Sequence, residues 1–180
     1  MPGTPDRIAS LIQLSLSDPF GTLSYGALRL PCALGPSGTR ALKREGDGAT
    51  PRGLWPLRRA LYRADRLCKP ITCLPIRQLR ASDGWCDSAN DPNYNRPVRL
   101  PYSASAEALW RSDDLYNLIV VLGFNDWPRR RGHGSAIFMH VAREDFAPTA
   151  GCIALRQHDL LQLLAAPKPP RWIRIGAGVV

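Results

Sequence analysis

The stretch GSAIFMHVAREDFAPTAGCIAL, residues 134–155, holds the most informative pattern of the chain. An apolar run ends in His140, a polar loop follows, and a second apolar run begins directly after Cys152. This pattern predicts a strand, a loop and a second strand that returns the cysteine beside the histidine. A thiol whose proton is taken by an imidazole becomes a strong nucleophile. The stretch therefore predicts a catalytic Cys–His pair.

The residues just before the cysteine suit such a site. Gly151 allows other groups to approach the sulfur closely, and its backbone amide is expected to help hold an oxyanion. Thr149 and Ala150 precede it and are expected to contact the substrate. Pairing with an imidazole favours the charged thiolate, so the pKa of Cys152 is expected to lie below the roughly 8.5 of a free thiol.

The same stretch resembles the catalytic segment of the L,D-transpeptidases, the YkuD-like cysteine enzymes that cross-link bacterial peptidoglycan. The resemblance rests on His140 and on the run TAGCI at residues 149–153. It extends to the run REGDGATPRG at residues 44–53, which resembles the family's Thr-Pro-x-Gly turn before a strand. With the strand pattern, it covers roughly residues 10–164, which is most of the chain.

The resemblance implies a fold that is mainly β with few helices (α+β), an L,D-transpeptidase-like mixed β-sandwich. We expect residues 1–180 to form a single catalytic domain. The implied activity is cross-linking of stem peptides through a thioester on Cys152, with His140 as the base. The links would join two diaminopimelate residues, or the first residue of one stem to the diaminopimelate of another. In the family a backbone carbonyl near the Gly-Cys step commonly orients the histidine.

The family places its base at the end of a strand, which separates the candidate histidines. His140 ends an apolar run, whereas His133 follows three arginines in a polar turn. His158 lies at the start of a predicted helix and is expected at the surface. We therefore assign the role of base to His140.

The chain departs from the usual pattern of the family in three places. Val141 and Ala142 follow the histidine, where Gly-Thr is usual, and the loop from His140 to Cys152 is short. Ala154 stands where an arginine is common. These differences predict a relaxed or altered donor. The arginines that are candidates to supply the missing charge are Arg96, Arg129 and Arg143.

Two other functions remain open from the sequence. The same Cys–His pair would make the protein an L,D-carboxypeptidase or amidase if water resolved the thioester. The net charge of +9 also fits a non-catalytic, basic cell-wall-binding module. No nucleic-acid-binding motif, cofactor motif or metal site is recognised, so peptidoglycan stem peptides are the expected partner. Because those stems carry carboxylates, a basic cleft would also suit this function. The protein is expected to be a monomer.

The other cysteines and the cellular location of the protein are also predicted from the sequence. The four other cysteines, Cys32, Cys68, Cys73 and Cys86, are able to form disulfides in an oxidising compartment. A buried free thiol is the expected state of Cys32, which lies in an apolar strand. The function implies the periplasm, although the first thirty residues show no signal peptide. No run of about 20 apolar residues predicts a transmembrane helix.

Periodicity and turn residues predict the other elements. Residues 35–53 and 91–97 are expected to be loops, and residues 105–110 one or two helical turns. Tyr94, Asn95 and Arg96 are expected either to line the cleft or to form a turn held by side-chain hydrogen bonds. Strands are predicted at residues 12–16, 22–34 (one or two strands), 54–63, 74–79, 115–124 (central and buried), 136–140, 153–155 and 172–175, and a helix at 157–165.

Overall fold

The computed structural model describes residues 7–13, 15 and 17–177, and this part of the chain contains fourteen strands and one short helix. The predicted mainly β fold is therefore confirmed. The strands are β1 Ile8–Gln13, β2 Phe20–Tyr25, β3 Leu28–Ala33, β4 Thr39–Arg40, β5 Thr50–Pro51, β6 Gly53–Tyr62, β7 Ile76–Gln78, β8 Asp83–Cys86, β9 Arg96–Arg99, β10 Ala106–Ala108, β11 Leu118–Leu122, β12 Phe138–Val141, β13 Ile153–Leu155 and β14 Trp172–Ala177. The helix is α1 Gln157–Leu164.

Nine strands form one large sheet in the order β11-β12-β13-β3-β2-β1-β14-β6-β7. The sheet closes on itself because β6 pairs with β14 and also with β11. β1, β2 and β3, the first three strands along the chain, form an antiparallel meander within this sheet. Closure leaves fewer unpaired strand edges, which is a general way to avoid edge-to-edge association.

The central strand β11 is buried on both faces. Leu118, Val120 and Leu122 pack into the main core, whereas Ile119 and Val121 pack into a second apolar cluster. A continuous run of β-branched and aliphatic residues is typical of a strand with no solvent-facing side. The prediction of a central buried strand is confirmed.

The two strands that carry the catalytic motif lie side by side. β12 and β13 are parallel, and His140 is the register partner of Ala154. Side chains alternate between the faces of a strand, so residues two apart share a face. Cys152, two residues before Ala154, therefore comes to the same side as His140. Met139 on the opposite face is packed in the main core.

A second, three-stranded sheet with the order β10-β8-β9 corrects the sequence predictions. The predicted helical turns at 105–110 are wrong, because β10 pairs antiparallel with β8 there. The predicted loop at 91–97 is interrupted by β9. These strands have only three or four residues each, too few to show a periodicity. Each pairs with a segment that is not adjacent in the sequence, and this pairing overrides the local preference for a turn or helix.

Several predicted boundaries also move. The strand predicted at 12–16 is β1, which ends at Gln13, and Leu14 and Leu16 lie outside the described residues. The segment predicted at 22–34 as one or two strands forms two, β2 and β3, with Gly26 in the turn between them. The loop at 35–53 contains the short parallel pair β4 and β5.

The cysteines are all free thiols in this structure. Cys32 and Cys86 are buried, whereas Cys68 and Cys73 are exposed. The prediction that Cys32 is a buried free thiol is confirmed. In the part of the chain that the structure describes, no helix has the length and apolar content needed to cross a membrane.

Candidate active site

A cavity of about 470 Å³ opens where β12 and β13 meet the small sheet. It contains both His140 and Cys152, which the sequence predicts as a pair. The cavity is lined by Glu45, Asp87, Glu107, Arg111, Leu115, Tyr116, Ser135, Ala136, Ile137, His140, Arg143, Ala147, Pro148, Thr149, Ala150, Cys152 and Ala154.

The ring of His140 is held in one orientation. Its Nδ1 lies 2.8 Å from the backbone carbonyl oxygen of Val141. A carbonyl only accepts hydrogen bonds, so in the neutral ring Nδ1 carries the proton and Nε2 is left as the acceptor. Tyr116 packs edge-on against the ring, with centroids 5.3 Å apart. The orienting carbonyl thus belongs to the residue after the histidine, and the expected carbonyl near the Gly-Cys step is not the one that bonds His140.

The thiol of Cys152 is held by backbone groups at the start of β12. It donates to the carbonyl oxygen of Ala136 at 3.2 Å, and it accepts a long hydrogen bond from the amide of Phe138 at 3.4 Å. Among the residues that the structure describes, no hydrogen bond joins the sulfur to His140. The thiol proton is therefore directed at the carbonyl of Ala136, and it has to turn towards the ring before the histidine can take it.

Burial keeps both members of the pair neutral. Burial above all, and the nearby carboxyl of Glu107, raise the pKa of the Cys152 thiol to about 12, against smaller opposite effects from the Phe138 amide and Lys43. Burial also lowers the pKa of His140 to about 4. A charged group loses its hydration when buried, so each partner favours its uncharged form. The expected thiol pKa below 8.5 is not supported by this geometry.

Gly151 is required by the packing of the loop before the cysteine. Its φ is +125°, and a Cβ built there would lie 2.6 Å from the carbonyl oxygen of Ala49. Any other residue would force the backbone of the Thr-Pro-x-Gly turn to move. The turn and the cysteine loop, the two motifs of the sequence, are therefore packed directly on each other.

Thr149 ties the same loop together. Its hydroxyl donates to the carbonyl oxygen of Cys152 at 2.7 Å and accepts from the amide of Gly151 at 3.1 Å. Because that amide already has a partner, the backbone amide of Cys152 itself is the better candidate to bind an oxyanion. Thr149 and Ala150 both line the cavity, where the sequence predicts them.

Lys43 is a buried cation that no sequence motif singles out. Its side chain is 3% exposed, and Nζ lies 2.7 Å from Oδ1 of Asp47. Nζ would be 3.3 Å from a Cβ placed on Gly151, so it lies directly under the cysteine loop. Its charge favours the thiolate of Cys152. A lysine in a Gly-rich polar loop is ordinarily a surface residue, so the sequence pattern contains no signal of this role.

The charges around the cavity correct the expectation of a basic cleft. Three acidic residues, Glu45, Asp87 and Glu107, line it and are here called the acidic lining. Two arginines also line it, and Arg111 is bound to Asp113 at 2.6 Å.

Arg143 is the other cavity arginine and is one of three candidates predicted to replace the missing charge beside the cysteine. The other two, Arg96 and Arg129, line a separate cavity beside Trp127.

Tyr116 connects the histidine to Glu107 of the acidic lining. The hydroxyl of Tyr116 donates to Oε1 of Glu107, while its ring packs against His140. Burial raises the pKa of Glu107, and the hydrogen bond from Tyr116 partly opposes that effect. Sequence reasoning misses both residues because neither belongs to a recognisable motif.

Asn95 lies outside the catalytic cavity and supports it from behind. Its Oδ1 accepts from the amide of Ala136 at 3.1 Å and from Nε1 of Trp85 at 2.9 Å. Its Nδ2 donates to the carbonyls of Phe124 and Asn125. All its hydrogen-bonding groups are thus used within the protein, which matches the alternative of a turn held by side-chain hydrogen bonds.

The neighbours of Asn95 also lie outside the lining of the cavity around Cys152. Tyr94 is buried, and its hydroxyl donates to Glu45 and accepts from the amide of Gly134. Arg96 is exposed and lines the separate cavity. The structure does not bring Tyr94, Asn95 and Arg96 into the lining around Cys152.

The remaining histidines are separate from the thiol. His133 and His158 are both exposed, and neither lines the cavity. Within the described ranges, no group of three or more His, Cys, Asp or Glu side chains is placed to hold a metal ion.

Comparison with known proteins adds one match. Residues 22–175 match the family model YkuD, described as the L,D-transpeptidase catalytic domain. The matched range includes both sequence motifs and every residue that lines the cavity. No curated protein and no solved structure is similar enough to match.

Proposed function

The chain belongs to the YkuD family of L,D-transpeptidase catalytic domains, and from that premise we propose that it cross-links peptidoglycan stem peptides through a thioester on Cys152. The family supports L,D-transpeptidase-type catalysis on peptidoglycan. The observation that carries the residue assignment is that Cys152 and His140 share one face of the parallel pair β12 and β13 and line one cavity.

The first half of the reaction begins with a neutral pair. As the donor carbonyl arrives, Cys152 rotates away from the carbonyl of Ala136, and Nε2 of His140 accepts the thiol proton. The sulfur attacks the carbonyl carbon, and the C–N bond to the leaving amine breaks. His140 returns the proton to that amine, which leaves a thioester. Both groups are charged only during the proton transfer, because burial favours their neutral forms.

The oxyanion formed in this step needs a donor close to the sulfur. We assign this role to the backbone amide of Cys152, since the amide of Gly151 is engaged by Thr149. Lys43 beneath the loop adds a positive charge in a buried setting, where electrostatic effects are strong. The ion pair with Asp47 fixes the position of that charge.

In the second half, an amine from another stem attacks the thioester and forms the cross-link. The products are links between two diaminopimelate residues, or between the first residue of one stem and diaminopimelate. Ala154, the register partner of His140, places a methyl group in the cavity where an arginine is common in the family. Arg143 is the candidate to bind the donor carboxylate in its place. A relaxed donor is therefore proposed.

Three further properties are proposed with the activity. The substrate implies that the protein acts in the periplasm. A single catalytic domain over residues 1–180 and a monomeric state remain our predictions.

The proposal is tested by incubating the purified protein with peptidoglycan stems and analysing the products by mass spectrometry. We expect cross-linked dimers from the wild type and from Cys32→Ala, a buried thiol outside the cavity, and none from Cys152→Ala. Shortened stems without dimers would indicate the L,D-carboxypeptidase alternative. Dimers made by Cys152→Ala would contradict the assignment of the nucleophile.

A further inference from the structure

The acidic lining stands in an unfavourable place for the chemistry proposed above. Glu107 lies close enough to Cys152 to oppose ionisation of its thiol. Asp87 and Glu107 also repel each other. A site that only had to activate a thiol would gain from cations at these positions. The acids therefore need another explanation.

Two acidic residues reach the cavity from neighbouring strands of the small sheet. Ala106 on β10 pairs with Cys86 on β8. Glu107 and Asp87 each follow one of these partners, and the alternation of an antiparallel pair puts diagonal neighbours on one face. No ion pair neutralises either carboxylate within the described part of the chain.

Two oxygens at this surface lack the partners that buried groups normally have. Ser135 is 7% exposed and lines the cavity. Its hydroxyl lies close enough to that of Tyr94 to lower the pKa of the phenol as a weak donor, and its Oγ accepts no hydrogen bond from the described residues. Oδ1 of Asp87 is also buried without a partner. Unsatisfied buried polar atoms are uncommon in native proteins and are costly. A carboxylate oxygen only accepts hydrogen bonds and a hydroxyl oxygen is able to accept one, so a single donor group would satisfy both oxygens.

We infer that Asp87, Glu107 and the hydroxyl of Ser135 bind the primary ammonium group of the acceptor stem peptide beside Cys152. A primary ammonium carries a positive charge and three N–H donors, which suits carboxylates and an unpaired hydroxyl. A metal ion fits less well, because these acids do not form a cluster that could hold one among the described residues. The inference rests on the proposed function, because it assigns a place to the second substrate of that reaction.

The bound ammonium leads directly to the second half-reaction. It gives one proton to Nε2 of His140, which is neutral again after the donor's amine has left. The amine nitrogen then attacks the thioester carbon, the C–N bond forms and the C–S bond breaks. The sulfur receives the proton from His140, and the nitrogen loses its second proton to water. The products are an amide and the free thiol.

The test measures how one thioester is shared between two acceptors. The protein is loaded with a stem-peptide donor, and a second stem with a free side-chain amine competes with hydroxylamine, which is uncharged at neutral pH. Mass spectrometry gives the ratio of cross-linked dimer to hydroxamate. Because both products come from the same thioester, changes in the rate of its formation cancel.

We expect Asp87→Asn and Glu107→Gln each to lower this ratio about tenfold, since each removes a charge-assisted hydrogen bond to the ammonium. The matched control is Glu144→Gln, an exposed acid outside this cavity, which should leave the ratio unchanged. Added salt should also lower the ratio for the unmodified protein, because it screens the attraction between the acids and the ammonium. The inference can therefore be tested even if a variant fails to fold.

The outcomes separate the two proposals. A thioester that forms normally, with a ratio that neither the two substitutions nor salt changes, would overturn the inference and leave the proposed function intact. The inference would equally be overturned if the substitutions slowed thioester formation only with donors that carry a free amine. The acids would then bind the donor and not the acceptor. Failure of the wild type to form any thioester would overturn both.

Discussion

The cavity is lined by two unlike sets of residues, the proposed catalytic pair of His140 and Cys152 and the acidic lining. The pair is supplied by adjacent strands of the large sheet, whose register places both side chains on one face. The acidic lining comes from β10, from the end of β8 and from a loop. The sheet thus positions the proposed reacting groups, whereas short and irregular segments supply the groups proposed to bind the acceptor.

The largest expected difference between the two sets concerns the base. Replacing His140 with Ala should lower the rate of thioester formation on the order of 10²- to 10⁴-fold, because general-base assistance is lost. His133→Ala removes an exposed histidine from a turn and should have little effect. Single-turnover kinetics with a stem-peptide donor measure both. A dead His133→Ala variant with an active His140→Ala variant would reverse the assignment.

A second prediction concerns the residue that connects the two sets. Asn95 bonds Ala136, whose carbonyl holds the thiol, and also Trp85 on β8 of the small sheet. Asn95→Ala should reduce the free energy of unfolding by about 2–4 kcal/mol, because several buried backbone and side-chain groups lose their partner. Denaturant unfolding measures this loss. Asn90→Ala, at an exposed position, is the control. Equal stabilities would show that Asn95 does not support the site.

How much of this could be predicted from the sequence depends on the length of each pattern. The central strand β11, the strand β12 that carries His140 and helix α1 have clear patterns, and the sequence predicts all three. β8 and β10 have three or four residues each, and a window that short cannot distinguish a strand from a helical turn. Glu107 lies on such a strand, so its approach to Cys152 depends on tertiary pairing that no local signal reveals.

The properties of the pair are also harder to predict than its identity. The spacing of His140 and Cys152 indicates that they meet, but it says nothing about how deeply they are buried. Burial decides that both groups are neutral at rest, which reverses the expected direction of the thiol pKa. Lys43 and Asn95 show the same limit, since their roles come from a buried ion pair and from hydrogen bonds across the fold.

The third prediction follows from the buried histidine. Burial lowers the pKa of His140 from 6.5 to about 4, so the unfolded chain binds more protons than the folded one between these values. Stability should therefore be complete above about pH 6.5 and fall as the pH drops towards 4, by up to about 1.4 kcal/mol per pH unit. His140→Gln should remove this contribution, whereas His133→Gln should keep it. Thermal unfolding across this pH range measures the difference, and identical profiles for the two variants would contradict the buried neutral histidine.

The fourth and smallest effect concerns the free protein's thiol. Alkylation of Cys152 by iodoacetamide should show its transition above the roughly 8.5 of a free thiol, because burial disfavours the thiolate. The exposed Cys68 and Cys73 provide internal references in the same sample. Peptide mapping by mass spectrometry follows each site separately. A Cys152 transition below those of the exposed thiols would show that the pair is already ionised.

The most direct test of the central claim is the mass of the intact protein during reaction with a stem-peptide donor. We predict a covalent adduct equal to the donor acyl group, located on Cys152 by peptide mapping and discharged by an amine acceptor. Cys152→Ala should show no adduct, and Cys32→Ala should show the same adduct as the wild type. Cross-linking without an adduct on Cys152, or with the acyl group on another residue, would contradict the thioester mechanism.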